Sequence, residues 1–171
     1  MTKPLIKSQS NIQDFGEVFT PTETVQEMLA QIPDENWQDP EAIFLEPTCG
    51  HGNFVLEIIK LRLINGLSLH QAVSTCFGMD ICSENVQECR NRIYHASKGL
   101  IKKLSDLVLL VAIVRNNFIV VDDSLAFMRN EWEAYPQFQD RPEDYQKEQR
   151  RLIKAEVMAY FKESDKDWFE E

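Results

Sequence analysis

The residues best equipped for chemistry lie in one short stretch, Phe44 to Phe54, which reads FLEPTCGHGNF. Gly50 and Gly52 permit a tight turn and let a ligand approach the backbone where a Cβ would otherwise stand. A helix starting just after them would present its N-terminal amides to that ligand. Glu46, before the two glycines, restricts what the ligand is. A dinucleotide would set a pyrophosphate over the loop, and a fixed carboxylate nearby would repel it by roughly several kcal/mol at low effective dielectric. The same carboxylate suits a cationic ligand with an ammonium and a sulfonium. That is the description of S-adenosylmethionine.

Two further acids lie at strand-like ends. Asp80 has the chemistry to accept hydrogen bonds from both hydroxyls of a ribose; its bland alternative is a helix cap. Asp122 is placed to accept from an adenine amino group, and the alternative for Asp122 or Asp123 is a turn residue. His51, at the loop tip, is taken as an exposed loop residue rather than an acid or base. Trp132, Tyr135 and Phe138 offer either a stacking surface for a base or ordinary packing, and packing is the preferred reading.

Elements that alternate in type must position these residues. Thr22 to Ile32 places Val25, Met28, Leu29 and Ile32 on one helical face, with Thr22 as its cap. Pro33 to Pro40 reads as a turn-rich link. Ala42 to Leu45 has strand length, and Phe54 to Ile64 puts Val55, Ile58, Ile59 and Arg62 on one stripe, stopped by Asn65-Gly66. A short helix over Ser68 to Ser74 leads to a strand at Cys76 to Asp80. Ser83 then caps a helix carrying Val86, Cys89, Arg90 and Ile93 on one side. Leu100 to Val114 is helical, and Phe118 to Val121 is a third strand. Such alternation predicts a parallel sheet, with the ligand at the carboxyl ends of its strands, where Glu46, Asp80 and Asp122 stand. Beyond Met128 the chain becomes strongly charged, with an amphipathic helical pattern over Tyr145 to Phe161 that carries Leu152, Ile153, Val157, Tyr160 and Phe161.

These motifs together resemble the N6-adenine DNA methyltransferases. The resemblance is carried by Gly16-Glu17-Val18-Phe19-Thr20-Pro21, then Phe44 to Phe54, then Gly78-Met79-Asp80-Ile81 with Glu84-Asn85. It spans about residues 15 to 125. It implies an α/β fold with a Rossmann-like class I methyltransferase sheet, here truncated; the C-terminal amphipathic helical tail is read from its own spacing beyond the match. It implies S-adenosylmethionine as cofactor and a setting in DNA methylation and restriction-modification. By position, Phe19, Thr20 and Pro21 match the family's covering segment. Glu46, Pro47, Gly50, Gly52 and Phe54 match the cofactor loop, Asp80 and Ile81 the ribose end, and Asp122 the residue near the adenine. The domain reading is a flexible arm over 1–15, a cofactor-binding domain over 16–127 and a charged helical extension over 128–171.

One departure limits the activity. Family members carry a catalytic [DNS]-P-P-[YFW] tetrapeptide whose polar side chain and carbonyl accept from the target amino group and whose aromatic stacks on a flipped base. The nearest candidate here, Ala134-Tyr135-Pro136-Gln137-Phe138, has one proline and no acceptor in place. No catalytic residue is therefore assigned. A target-recognition domain is missing as well.

Bulk properties narrow the setting. The chain has 171 residues, 43% hydrophobic, enough for one domain with a core. Its formal charge of −10 argues against autonomous DNA binding, which relies on a basic face. Cys49, Cys76, Cys82 and Cys89 form no C-x-x-C pair and lack metal-ligand spacing with the histidines, so reduced thiols in a cytoplasmic protein are expected. Neither a signal peptide nor a membrane-spanning run is evident. Three functions follow as expectations: a cofactor-binding subunit or remnant whose protein partner supplies the catalytic and DNA-binding parts, a methyltransferase acting on another substrate, or a non-enzymatic acidic scaffold.

Overall fold

The computed structural model describes residues 20–164, so Phe19 of the covering segment lies outside the described residues. The architecture is mixed α/β. Its sheet has three parallel strands in the order β1-β2-β3: β1 (Phe44–Glu46), β2 (Cys76–Asp80) and β3 (Phe118–Val120). Phe44 pairs with Cys76, Glu46 with Gly78, and Asp80 with Val120. Cys76, Phe77, Gly78 and Met79 are all buried, as a central parallel strand covered on both faces requires. Gly78 is needed at that centre. A Cβ there would stand 2.8 Å from the Phe118 ring and 3.0 Å from Cys49 Cβ, so β3 and the loop after β1 could not close on it.

The helices, in chain order, are α1 (Thr22–Leu29), α2 (Glu35–Gln38), α3 (Asn53–Ile64), α4 (Leu69–Ser74), α5 (Ser83–Ser97), α6 (Leu104–Asn117), α7 (Ser124–Asn130) and α8 (Glu143–Ser164). The stripe expected on α3 is the buried one: Val55, Ile58, Ile59 and Arg62. Arg62 is 0% exposed. It survives there because its guanidinium donates to the carbonyls of Ala42 (2.7 Å) and Asp39 (3.1 Å) and lies 5.0 Å over the Phe44 ring. α4 begins with a capping box in which Ser68 and Gln71 satisfy each other's backbone amides. α6 is apolar nearly all round and is sandwiched in the core.

The charged C-terminal stretch packs onto this core. α8 lies along α6 and buries Ile153, with Val157 partly buried beside it. The side chains of Tyr160 and Phe161 lie outside the described residues. Between α7 and α8 the chain covers one face of β2. Trp132 meets Phe77 edge-on at 5.0 Å, Phe138 is buried, and the Tyr135 hydroxyl donates to the Asn116 carbonyl at 2.6 Å. These three aromatics therefore pack, as preferred from the sequence, rather than present a free stacking platform.

Several local expectations are corrected. Pro21, not Thr22, holds the cap position of α1, and Met28 is half exposed. The link after Pro33 contains α2, because Trp37 buries itself by stacking on Phe44 with ring centroids 5.1 Å apart. Cys82, not Ser83, precedes α5 at its cap. α6 starts at Leu104 because Lys98–Leu100 forms a short 3-10 turn and Ile101 is extended. Among the described residues, no helix is long and apolar enough to cross a membrane.

Candidate functional site

The loop between β1 and α3 is held against the end of β2 by two hydrogen bonds and closed on itself by a third. Cys49 N–H donates to the Met79 carbonyl at 2.8 Å, Gly50 N–H donates to Asp80 Oδ2 at 2.9 Å, and Gly52 N–H closes the turn onto the Cys49 carbonyl at 2.7 Å. Gly50 and Gly52 both have positive φ, 49° and 82°, so the turn uses backbone conformations that side chains disfavour. Gly52 also faces α5: a Cβ on it would stand 2.5 Å from Cys89 Sγ. The missing side chain at Gly52 thus lets the loop backbone pack directly against α5.

Gly52 is the cap residue of α3 and offers no side chain to cap it. The first amides of α3 consequently have no intrahelical partner and are available to an anionic group. Glu46 sits at the end of β1, half-buried. Its Oε1 accepts from Thr48 N–H at 3.2 Å and Thr48 Oγ1 at 3.3 Å. Burial pushes its carboxyl above the usual carboxylate range, and the two Thr48 hydrogen bonds oppose that rise only in part. A carboxylate held at the cost of desolvation gains from any cation that pairs with it.

Asp80 uses both oxygens on the backbone: Oδ2 holds Gly50, and Oδ1 accepts from Cys82 N–H at 2.8 Å. Asp80 is not the helix cap of the bland reading, because Cys82 holds that position of α5. It staples the loop to the turn before α5, and each carboxylate oxygen keeps a further acceptor site. Val121 N–H donates to the Asp80 carbonyl at 3.1 Å, which draws the end of β3 alongside. Asp122 follows with its side chain exposed, while Asp123 caps α7 by accepting from Ala126 N–H.

Glu46, Gly50, Gly52 and Asp80 thus gather at the carboxyl end of the sheet. Pro47 and Phe54 flank them, both half-buried; Ile81, immediately after Asp80, is 49% exposed. Thr20 is half-buried and Pro21 exposed at the start of α1. His51 is half-buried rather than exposed, and its carbonyl accepts from Arg92 Nη1 at 2.6 Å. Beside the loop, His51 and residues of α5 including Ser83, Glu84, Gln87 and Glu88 line an open groove of about 650 Å³. Neither Glu46 nor Asp80 lines it, so it neighbours the loop rather than forming it.

Three residues of this region escaped the sequence reading as parts of the site. Asn53 Nδ2 donates to the Thr20 carbonyl at 2.8 Å, and Arg92 Nη1 donates to Asn53 Oδ1 at 2.8 Å. Cys89 is the wall behind Gly52. Each acts across more than thirty residues of chain, so no local spacing announces it. Beneath the loop lie the buried thiols of Cys49, Cys76 and Cys89. Hydrogen bonding to Cys89, then burial, pushes the Cys49 thiol up, and burial pushes Cys76 up to about 12. Among the described residues, no group of histidines, cysteines and carboxylates is arranged to hold a metal ion.

The class that fold and site define is a small mixed α/β unit with a three-stranded parallel sheet and a glycine loop at its carboxyl end. Comparisons with family models, with curated proteins and with solved structures find no significant match to this chain.

Proposed function

We propose that this chain binds S-adenosylmethionine at the carboxyl end of its sheet, as the cofactor-binding half of a Rossmann-like class I methyltransferase related to the N6-adenine DNA enzymes. The observation that carries the reading is the Gly50–Asp80 hydrogen bond. It joins the glycine loop to the acid on the neighbouring strand, two residues beyond the Gly78 that pairs with Glu46.

The donor set fits the ligand group by group. The uncapped amides of α3 suit the α-carboxylate, the half-buried Glu46 suits the positively charged centres, and Asp80 has acceptor sites left for the ribose hydroxyls. Asp122 and Ile81 lie where the adenine would extend, and Thr20 and Pro21 adjoin the aminoacyl end through Asn53. Bound there, the cofactor would supply an electrophilic methyl group. The residues of this chain bind and orient it. Methyl transfer is assigned to a protein partner that brings the [DNS]-P-P-[YFW] tetrapeptide and the DNA contacts. The formal charge of −10 favours such a partner over direct contact with DNA, and the four free thiols favour a cytoplasmic setting.

Calorimetric titration tests the binding claim: heat with saturation at micromolar S-adenosylmethionine is expected, and none at high micromolar ligand refutes it. Transfer of tritiated methyl to adenine-containing DNA by this chain alone should be absent; robust transfer would overturn the assignment to a partner. Asp80→Asn leaves one acceptor oxygen for two backbone donors and turns an amide toward one of them. It should lower stability by about 1–3 kcal/mol and abolish measurable binding. Wild-type affinity in a folded Asp80→Asn chain would remove Asp80 from the site.

A further inference from the structure

We infer that Asn53 and Arg92 form a positioning clamp that sets the segment at Thr20 against the aminoacyl end of the ligand, so that they select for S-adenosylmethionine over nucleosides lacking that end. The inference rests on the cofactor reading above. Asn53 is the first residue of α3, directly after the left-handed Gly52. Its side-chain amide is used at both ends: Nδ2 donates to the Thr20 carbonyl (2.8 Å), and Oδ1 accepts from Arg92 Nη1 (2.8 Å). Because a guanidinium only donates, Arg92 dictates which way round the amide sits and keeps its NH₂ aimed at Thr20. The same nitrogen, Nη1, also holds the His51 carbonyl at 2.6 Å.

One cation on α5 therefore anchors the loop tip, the start of α3 and the chain approaching α1. These contacts span 33, 39 and 41 positions of sequence, so they join three elements that local structure leaves independent. The turn that carries the clamp is the one whose free amides face the α-carboxylate. Asp80, which faces the ribose, is stapled separately to Gly50 and Cys82. Loosening the clamp thus disturbs one end of the ligand and spares the other.

The test titrates S-adenosylmethionine and 5′-methylthioadenosine, which lacks the aminoacyl group, into the wild-type chain, Asn53→Ala and Arg92→Lys. Asn53→Ala changes no charge and inserts a good helix former, so the fold is kept. It should weaken S-adenosylmethionine about tenfold and 5′-methylthioadenosine less than about twofold, since one hydrogen bond in a partly buried site corresponds to about that factor. Arg92→Lys keeps a cation on a stem one bond shorter, and should weaken S-adenosylmethionine selectively in the same sense as Asn53→Ala. Amide hydrogen exchange of the ligand-free chain adds an independent readout. The Val25 amide, bonded to the Pro21 carbonyl at 3.0 Å, should exchange faster in Asn53→Ala while Ile58 in α3 does not. Equal losses for both ligands, or none, overturn the clamp while leaving the cofactor reading intact. A wild-type chain that binds neither ligand overturns the cofactor reading and the selectivity built on it.

Discussion

Replacing Gly52 by alanine probes the loop most directly, because two separate costs meet at that position. Its φ of 82° is a left-handed conformation, which costs an L-residue about 1–2 kcal/mol. The new methyl would also stand 2.5 Å from Cys89 Sγ, which is buried between α3 and the sheet and cannot swing into solvent. Overpacking of this kind costs about 1–3 kcal/mol. Taking about 3 kcal/mol for the sum, thermal unfolding followed by circular dichroism should fall by about 6–12 °C for a chain of this size.

Gly66 supplies the internal control. Its φ of 96° imposes the same kind of strain, but a Cβ there has nothing within 4 Å. Gly66→Ala should therefore show only the conformational part, about 1–2 kcal/mol. Pairing Gly52→Ala with Cys89→Ala removes the clash and keeps the strain, so the double variant should be less destabilised than the two singles combined, by at least about 0.5 kcal/mol. Strict additivity, or a Gly52→Ala loss no larger than that of Gly66→Ala, would show that the loop does not pack on α5 as described.

Two further outcomes can be measured on the same material. Glu46 has a folded pKa raised by burial, so its ionisation opposes folding: its contribution is most favourable below its ordinary value of 4.5 and is lost as pH rises through the folded value. Glu46→Gln should then stabilise the ligand-free chain at neutral pH yet weaken S-adenosylmethionine, whose wild-type affinity should rise as Glu46 ionises; a titration that is flat with pH and unaffected by the substitution would take Glu46 out of the site. Arg62→Met keeps the bulk of the side chain but strands the Ala42 and Asp39 carbonyls, and should cost about 2–4 kcal/mol in chemical denaturation; a loss under about 0.5 kcal/mol would mean that those carbonyls find water instead.

Much of the scaffold was legible because periodicity is local. Val55, Ile58, Ile59 and Arg62 recur at helical spacing, and the unbroken apolar run through Met79 marks a strand buried on both faces, so α3 and β2 fell where sequence placed them. The loop glycines and the acids at the strand ends were legible for the same reason, since each depends on its place relative to the next element. α2 was missed because a stretch with prolines at both ends looks like a link until Trp37 finds the Phe44 ring. The N-terminus of α6 was misplaced because nothing local separates the 3-10 turn at Lys98–Leu100 from the helix proper.

What sequence alone determined, then, is the identity and order of the groups at the proposed site: a glycine turn, a carboxylate before it and a second acid one strand later. What only the tertiary structure decided is how that chemistry is held. Arg62 on an apolar stripe becomes tenable through carbonyls some twenty residues away, and Asp80 becomes a staple once Gly50 lies across it. Asn53 and Arg92 gain a role through contacts 33 to 41 residues apart. Hydrogen bonds of that span have no period and no motif; they exist only after the core has closed and brought their partners within about 3 Å.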